Sequence, residues 1–125
     1  MSGKKTALII IGILAGIMAV CTLLAIFVGV PVLKNLKYTN AQKNAEAGQY
    51  IYAIYELEGR NMDDYKDVKL KKQEYALCAA KQFISEKDYV NAEAYLTLAI
   101  VINADKDITA EANKLLKEVN KKLNM

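Results

Sequence analysis

The chain has no histidine, a single proline and two cysteines among its 125 residues. Without histidine it lacks the side chain that most often serves as a neutral-pH acid, base or metal ligand. Cys21 and Cys78 stand on opposite sides of the boundary that ends a long uncharged run. They form neither the clustered ligand set that zinc, haem or iron–sulfur groups require nor a plausible internal disulfide. Cys78 also has no histidine to activate it as a nucleophile. No catalytic, cofactor-binding or metal-binding residue is therefore expected, and the chain does not read as an enzyme. An excess of one charge is missing as well: from Lys34 onward fifteen basic residues face fourteen acidic ones, a net +1. So balanced a surface argues against a nucleic-acid partner. The clusters Lys69, Lys71, Lys72 and Lys114, Lys117, Lys121, Lys122 read as solvated helix faces.

Charge is absent altogether from Ala7 to Leu33, "ALIIIGILAGIMAVCTLLAIFVGVPVL". As a helix, Ala7 to Gly29 alone is about 35 Å long, enough to cross a hydrocarbon core of about 30 Å. Sixteen of the residues in the run are Leu, Ile, Val or Phe, each favouring insertion by roughly 0.3 to 0.6 kcal/mol near the bilayer centre. Lys4 and Lys5 resemble the basic start of a secretory signal, but the run is too long for one. Cys21 follows Val20 and precedes twelve further uncharged residues, the wrong setting for lipid attachment. Residues 1–33 are thus expected to be a retained transmembrane anchor, with the bilayer contacted through residues 7–33, and residues 34–125 a separate domain. Pro31 and Gly29 are expected to end or bend the anchor helix. Gly12 and Gly16 form a small-x-x-x-small pair that lets a second helix approach closely, so a homo-oligomer built on the anchor is one expectation and ordinary glycine content the other. The positive-inside rule does not decide orientation, because Lys4 and Lys5 on one side face Lys34, Lys37 and Lys43 on the other. A short basic N-terminus before a single span favours a cytoplasmic N-terminus and an extracytoplasmic domain at the cell membrane.

After the anchor the apolar spacing is helical and no strand-like alternation competes with it. The stripes are Tyr38, Ala41, Ala45; Tyr50, Ala53, Ile54, Leu57; Ala76, Ala79, Ala80, Phe83; Tyr89, Ala92, Leu96, Ala99, Ile100; and Ile108, Ala112, Leu115, Leu116, Val119, Leu123. They predict five helices and an all-α class. Gly48, Gly59-Arg60-Asn61, Asp63 or Asp64, Ser85 and Asp88, and Asp105 or Asp107 mark the breaks and caps. Two of the breaks repeat one phrase: Gly48-Gln49-Tyr50-x-x-Ala53 and Lys87-Asp88-Tyr89-x-x-Ala92, 39 residues apart. A helix pair cannot bury its apolar face alone, and writing it twice lets each copy cover the other.

These residues resemble a tetratricopeptide repeat, whose second helix opens on Gly-x-Tyr-x-x-Ala with a large apolar residue four positions on, here Leu57 and Leu96. Ala41 and Ala80 stand at its small crossing position, Phe83 at its aromatic position and Ala99 at its later small position. Lys87 in place of glycine, the missing closing proline and a spacing five longer than the usual repeat of about 34 depart from the pattern; the extra residues are read as a longer turn around "NMDDYKD". Asp64-Tyr65-Lys66-Asp67 looks like divergent helical repeats of membrane-anchored proteins in Gram-positive bacteria. The resemblance covers about residues 38–101 and implies a groove on the first helices that takes peptides or partner helices, lined by Tyr38, Gln42, Ala45, Glu74, Leu77, Lys81 and Ile84. The alternative is that Tyr38 and Leu77 pack under the last helix, "DITAEANKLLKEVNKKL", which caps the stack. The function expected is a membrane-tethered protein–protein interaction module, an adaptor or scaffold subunit of an envelope assembly. A structural protein that self-associates through its anchor is the alternative.

Overall fold

The fold is described from a computed structural model, which describes residues 13, 16–19, 30–59 and 61–125. Helices α1 (Val30–Glu46), α2 (Tyr50–Leu57), α3 (Val68–Ser85), α4 (Tyr89–Ile102) and α5 (Lys106–Leu123) follow in order, with no strand among the described residues. The chain divides into two compact units, Met1–Asn35 and Leu36–Met125. In the first, Ile13 and residues 16–19 are helical; Gly12, Cys21 and most of the expected anchor lie outside the described residues. Among the described residues no helix is long and apolar enough to cross a membrane. Pro31 is the second residue of α1, which runs on to Glu46; the anchor residues directly before α1, where it is expected to end or bend the helix, lie outside the described residues.

The second unit is held by α3, which packs against α2, α4 and α5. Alanines make these close crossings possible: Ala41, Ala53, Ala76, Ala80, Ala92, Ala99 and Ala112 are all fully buried in one cluster with Ile54, Leu57, Leu77, Leu96 and Val119. Gln82 near the end of α3 donates to the carbonyl of Gly48, just before α2, at 2.8 Å. α2 and α3 are therefore antiparallel, and the three-residue link from Ser85 to Tyr89 makes α3 and α4 antiparallel too. It follows that α2 and α4 run in the same direction.

The repeated phrase folds into the same turn twice. After α1, the amide of Gly48 donates to Ala45 and that of Gln49 to Asn44; after α3, the amide of Lys87 donates to Ile84 and that of Asp88 to Phe83. Both are Schellman closures, with the penultimate residue left-handed: Gly48 has φ +77° and Lys87 φ +61°. Asp88 goes on to cap α4 by accepting the Asn91 amide, and Asp105 caps α5 by accepting from Asp107 and Ile108.

The start of α3 departs from expectation. Neither Asp63 nor Asp64 caps it; residues 61–67 form consecutive turns, the helix begins at Val68, and Asp67 holds the preceding position without capping it. The cause is apolar. Met62 is buried in the core and pins the loop there, while the Asp67 carboxylate accepts the Tyr38 hydroxyl instead of a helix amide.

Candidate functional site

The seven residues expected to line one groove are split into three surroundings. Gln42 and Ala45 on α1 share a shallow recess with Tyr50 and with Lys71 and Tyr75 of α3. Glu74 pairs with Lys71 at 3.4 Å. Tyr38 lies at the middle of α1, its ring edge-on to Tyr65 with centroids 5.9 Å apart and its hydroxyl on Asp67. That hydrogen bond, then burial, then the carboxylate charge push the Tyr38 phenol up to about 12.

The remaining three face α5. Gln73, Leu77 and Lys81 are spaced by four, so they form one row on α3. Gln73 is completely buried; its amide donates to the Ala99 carbonyl and to Thr109 and accepts the Asp105 amide, each within 2.9 Å. Lys81 pairs with Glu111 of α5 at 2.7 Å. Leu77 between them is 6% exposed and belongs to the core, and Ile84 lines a small recess with Glu118 and Val119 of α5. Leu77 therefore has no free surface to offer a partner. The apolar stripe drawn through Ala76, Ala79, Ala80 and Phe83 is too narrow, because a helix with neighbours on three sides is buried on more than one face.

The larger depression lies on the opposite helices. Ile51, Ile54 and Tyr55 of α2 with Glu58 just after it, and Asn91, Ala94, Tyr95 and Leu98 of α4, enclose an open groove of about 450 Å³. Each set follows i, i+3, i+4, i+7, one face of a helix. The sets are offset by 40 residues, one more than the 39 of the repeated phrase, so the two rows are rotated by about 100° relative to one another. Two walls of one groove require such a rotation. Tyr52 and Val90 stand beside the rows, 64% and 70% exposed, and Tyr55 is 74% exposed. Only Asn91, Glu93 and Thr97 are polar among the fourteen residues of α4. A helix apolar on nearly its whole circumference ordinarily lies buried on all sides, yet this one leaves Val90 and Val101 in the open.

Glu58 is the one charged side chain among the residues lining the groove, and Glu56 and Glu93 fall about 150° round their helices from the centre of each lining row. Residues 44–59 and 88–105 contain no lysine or arginine, and Glu56, Glu58 and Glu93 have no ion-pair partner among the described residues. Lys37 of α1 stands at the Glu58 end, in a neighbouring recess with Tyr55, Glu56 and Gly59.

Cys78 is half-buried beside Tyr50, and burial pushes its thiol up, the reverse of activation. The neighbouring Cys78 charge, then burial, raise Tyr50, and burial chiefly raises Tyr75. Among the described residues no group of three or more cysteines and carboxylates is placed to hold a metal ion. Gly16 is open on its outer side, a Cβ there meeting nothing within 4 Å. No protein-family model, curated protein or solved structure matches this chain.

Proposed function

We propose that the chain is a membrane-tethered protein–protein interaction module, an adaptor or scaffold subunit of an envelope assembly, without catalytic function. The observation that carries this reading is the exposed α2–α4 groove, with Ile51, Tyr52, Tyr55 and Val90 open to solvent on a small, otherwise closely packed domain. Contiguous apolar surface of this kind marks interaction sites on soluble domains. The tether rests on the uncharged run of residues 7–33 and is supported by the open apolar side chains Ile13, Ile17, Met18, Val32 and Leu33. The proposed orientation, with the N-terminus in the cytoplasm and the domain outside it, rests on the short basic N-terminus ahead of the uncharged run. The repeats are proposed to be divergent tetratricopeptide-like pairs, a reading supported by the matched Schellman closures 39 residues apart.

Two measurements test this. Full-length protein is expected in the membrane fraction after carbonate extraction; a shortened product or release into the supernatant overturns the tether. Photocrosslinking from the domain in native membranes is expected to give adducts with a distinct protein. The open side of Gly16 favours one second reading, self-association of the anchor through Gly12 and Gly16. That reading predicts only self-adducts, lost when both glycines are changed to isoleucine.

A further inference from the structure

We infer that the outward face of α5 docks on an anionic lipid surface, the leaflet of the bilayer to which the chain is tethered. The inference rests on the reading of residues 7–33 as that tether and assigns the domain a second, electrostatic contact with the same membrane. α5 packs against α4 and α3, and Ile108, Ala112, Leu115, Leu116 and Val119 face the core. At 100° per residue those side chains share one half of the helix. Lys106, Lys114, Lys117 and Lys121 fall on the other half, within an arc of about 80° that holds only Ala110 besides, and each of them is exposed. The row is about 22 Å long, and none of its lysines has an ion-pair partner among the described residues. The carboxylates of α5 lie together on one flank, where Glu111 pairs with Lys81 and Glu118 lines a recess with Lys122. The other flank carries Asn113 and Asn120, which are uncharged.

Shape and side-chain type select the occupant. A plane meets the outside of a straight helix along one line, and the four lysines stand along such a line. Protein interfaces draw their energy from aromatic, arginine and apolar anchors and are depleted in lysine; this face has none of those anchors, only the methyl group of Ala110. Single-stranded nucleic acid is held by aromatic rings and arginine planes, equally absent from the face. A lysine instead carries a compact charge on a flexible stem, and near an anionic leaflet each is worth about fivefold in binding. Proximity strengthens the effect. The second unit begins at Leu36, three residues after the uncharged run ends at Leu33, so the bilayer is present at high effective concentration. Contact centred on Lys117 leaves Asn113 and Asn120 beside the surface and turns Asp107, Glu111 and Glu118 roughly 80° to 120° away from it.

The test uses the full chain in two kinds of nanodisc, one of phosphatidylcholine alone and one that also holds phosphatidylglycerol, each with the same small fraction of a lipid bearing a nitroxide on its headgroup. The protein has no tryptophan, so Ala110→Trp sets a single emitting reporter in the middle of the row. Quenching of this reporter is expected to be at least about threefold stronger in the anionic discs, with the difference shrinking as salt screens it. The same reporter introduced by Tyr52→Trp on α2, which is also exposed, is expected to gain no quenching from the anionic lipid. Changing Lys106, Lys114, Lys117 and Lys121 together to glutamine is expected to abolish the difference, whereas the same change at the exposed Lys43, Lys69, Lys87 and Lys122 removes equal charge and is expected to keep it. An unchanged helical spectrum confirms that each variant is folded. Equal quenching in the two discs overturns the inference and leaves the tether standing, the face then being merely solvated. Equal loss in the two quadruple variants overturns it in favour of a diffuse attraction of the whole domain, and an equal gain at position 52 overturns the choice of face. A chain that fails to co-elute with either disc overturns the tether and this inference together. In native membranes a photoreactive residue at position 110 is expected to give lipid adducts, and a protein adduct there overturns the lipid surface in favour of an acidic protein.

Discussion

Lys87 occupies a backbone position that an L-residue enters at a cost. Its φ of +61° matches the +77° of Gly48 in the equivalent turn, and the left-handed conformation costs a residue with a Cβ about 1 to 2 kcal/mol. The greater freedom of an unfolded glycine returns roughly 0.4 to 1 kcal/mol of that. Lys87→Gly is accordingly expected to stabilise the domain by up to about 1 kcal/mol, and Gly48→Ala to destabilise it by a similar amount, since its Cβ would find ordinary space 3.7 Å from Gln82. Urea midpoints of the two variants check both signs; a destabilised Lys87→Gly would mean that the lysine stem contributes more than the strain removes. The sequence shows the departure from glycine but not that the turn keeps its shape, because the hydrogen bonds that hold Lys87 left-handed come from backbone atoms.

Tyr38 gives a pH dependence at the same scale. Its phenol ordinarily titrates at 10.0 and is held up to about 12 by the bond to Asp67. Below pH 10 both folded and unfolded chains keep the proton, and the stabilisation is complete. Between 10 and about 12 the unfolded chain loses its proton first, so stability falls as pH rises. Tyr38→Phe has no proton to lose, and its urea midpoint is expected to fall less steeply across that window. Parallel slopes would show that the Tyr38–Asp67 bond adds nothing.

Among the elements, five helices and four of their breaks are legible from apolar period and capping residues, and the start of α3 is not. Asp63 and Asp64 carry the chemistry of a cap, but Met62 needs the core and places residues 61–67 in successive turns before the helix can begin. No local signal discloses a methionine anchor inside an acidic loop. The width of the buried surface on α3 is equally hidden, since periodicity reports that a helix has an apolar face and not how many neighbours it has. Leu77 and Lys81 separate the two readings. Leu77→Glu places an unpaired carboxylate in the core at a cost of several kcal/mol, a large share of a small domain's roughly 5 to 15, and is expected to unfold residues 36–125. Lys81→Glu loses one half-exposed pair with Glu111 and is expected to shift stability by no more than about 1 kcal/mol. Circular dichroism melts compare them; a Leu77→Glu protein that melts like the parent would put that side chain on the surface.

For the whole molecule, the α2–α4 groove has traces in the sequence that the tetratricopeptide-like pattern, which points to the first helices, does not contain. The traces are an α4 with three polar residues in fourteen, and the absence of lysine and arginine from 44–59 and 88–105 in a chain with seventeen basic residues. Neither says that the two stretches lie side by side; only the helix directions bring them together. Basic residues lie elsewhere, with five lysines on α5 alone, so charge is unevenly spread over a nearly neutral domain. Net charge conceals this, which is why the balance that argues against nucleic acid is silent about a charged protein partner.

The lysine-free walls of the groove also determine how it responds to reagents. Trypsin cuts after lysine and arginine, so α2 leaves the protein whole on the fragment 44–60 and α4 on the fragment 88–106. Amine-directed reagents have nothing to react with on either helix. Labelling surveys that rely on lysine would map α1, α3 and α5 and pass over this face entirely, whereas the tyrosines Tyr52, Tyr55 and Tyr95 make it open to phenol-directed chemistry, and protection of those rings on just two peptides would be the footprint of whatever binds there.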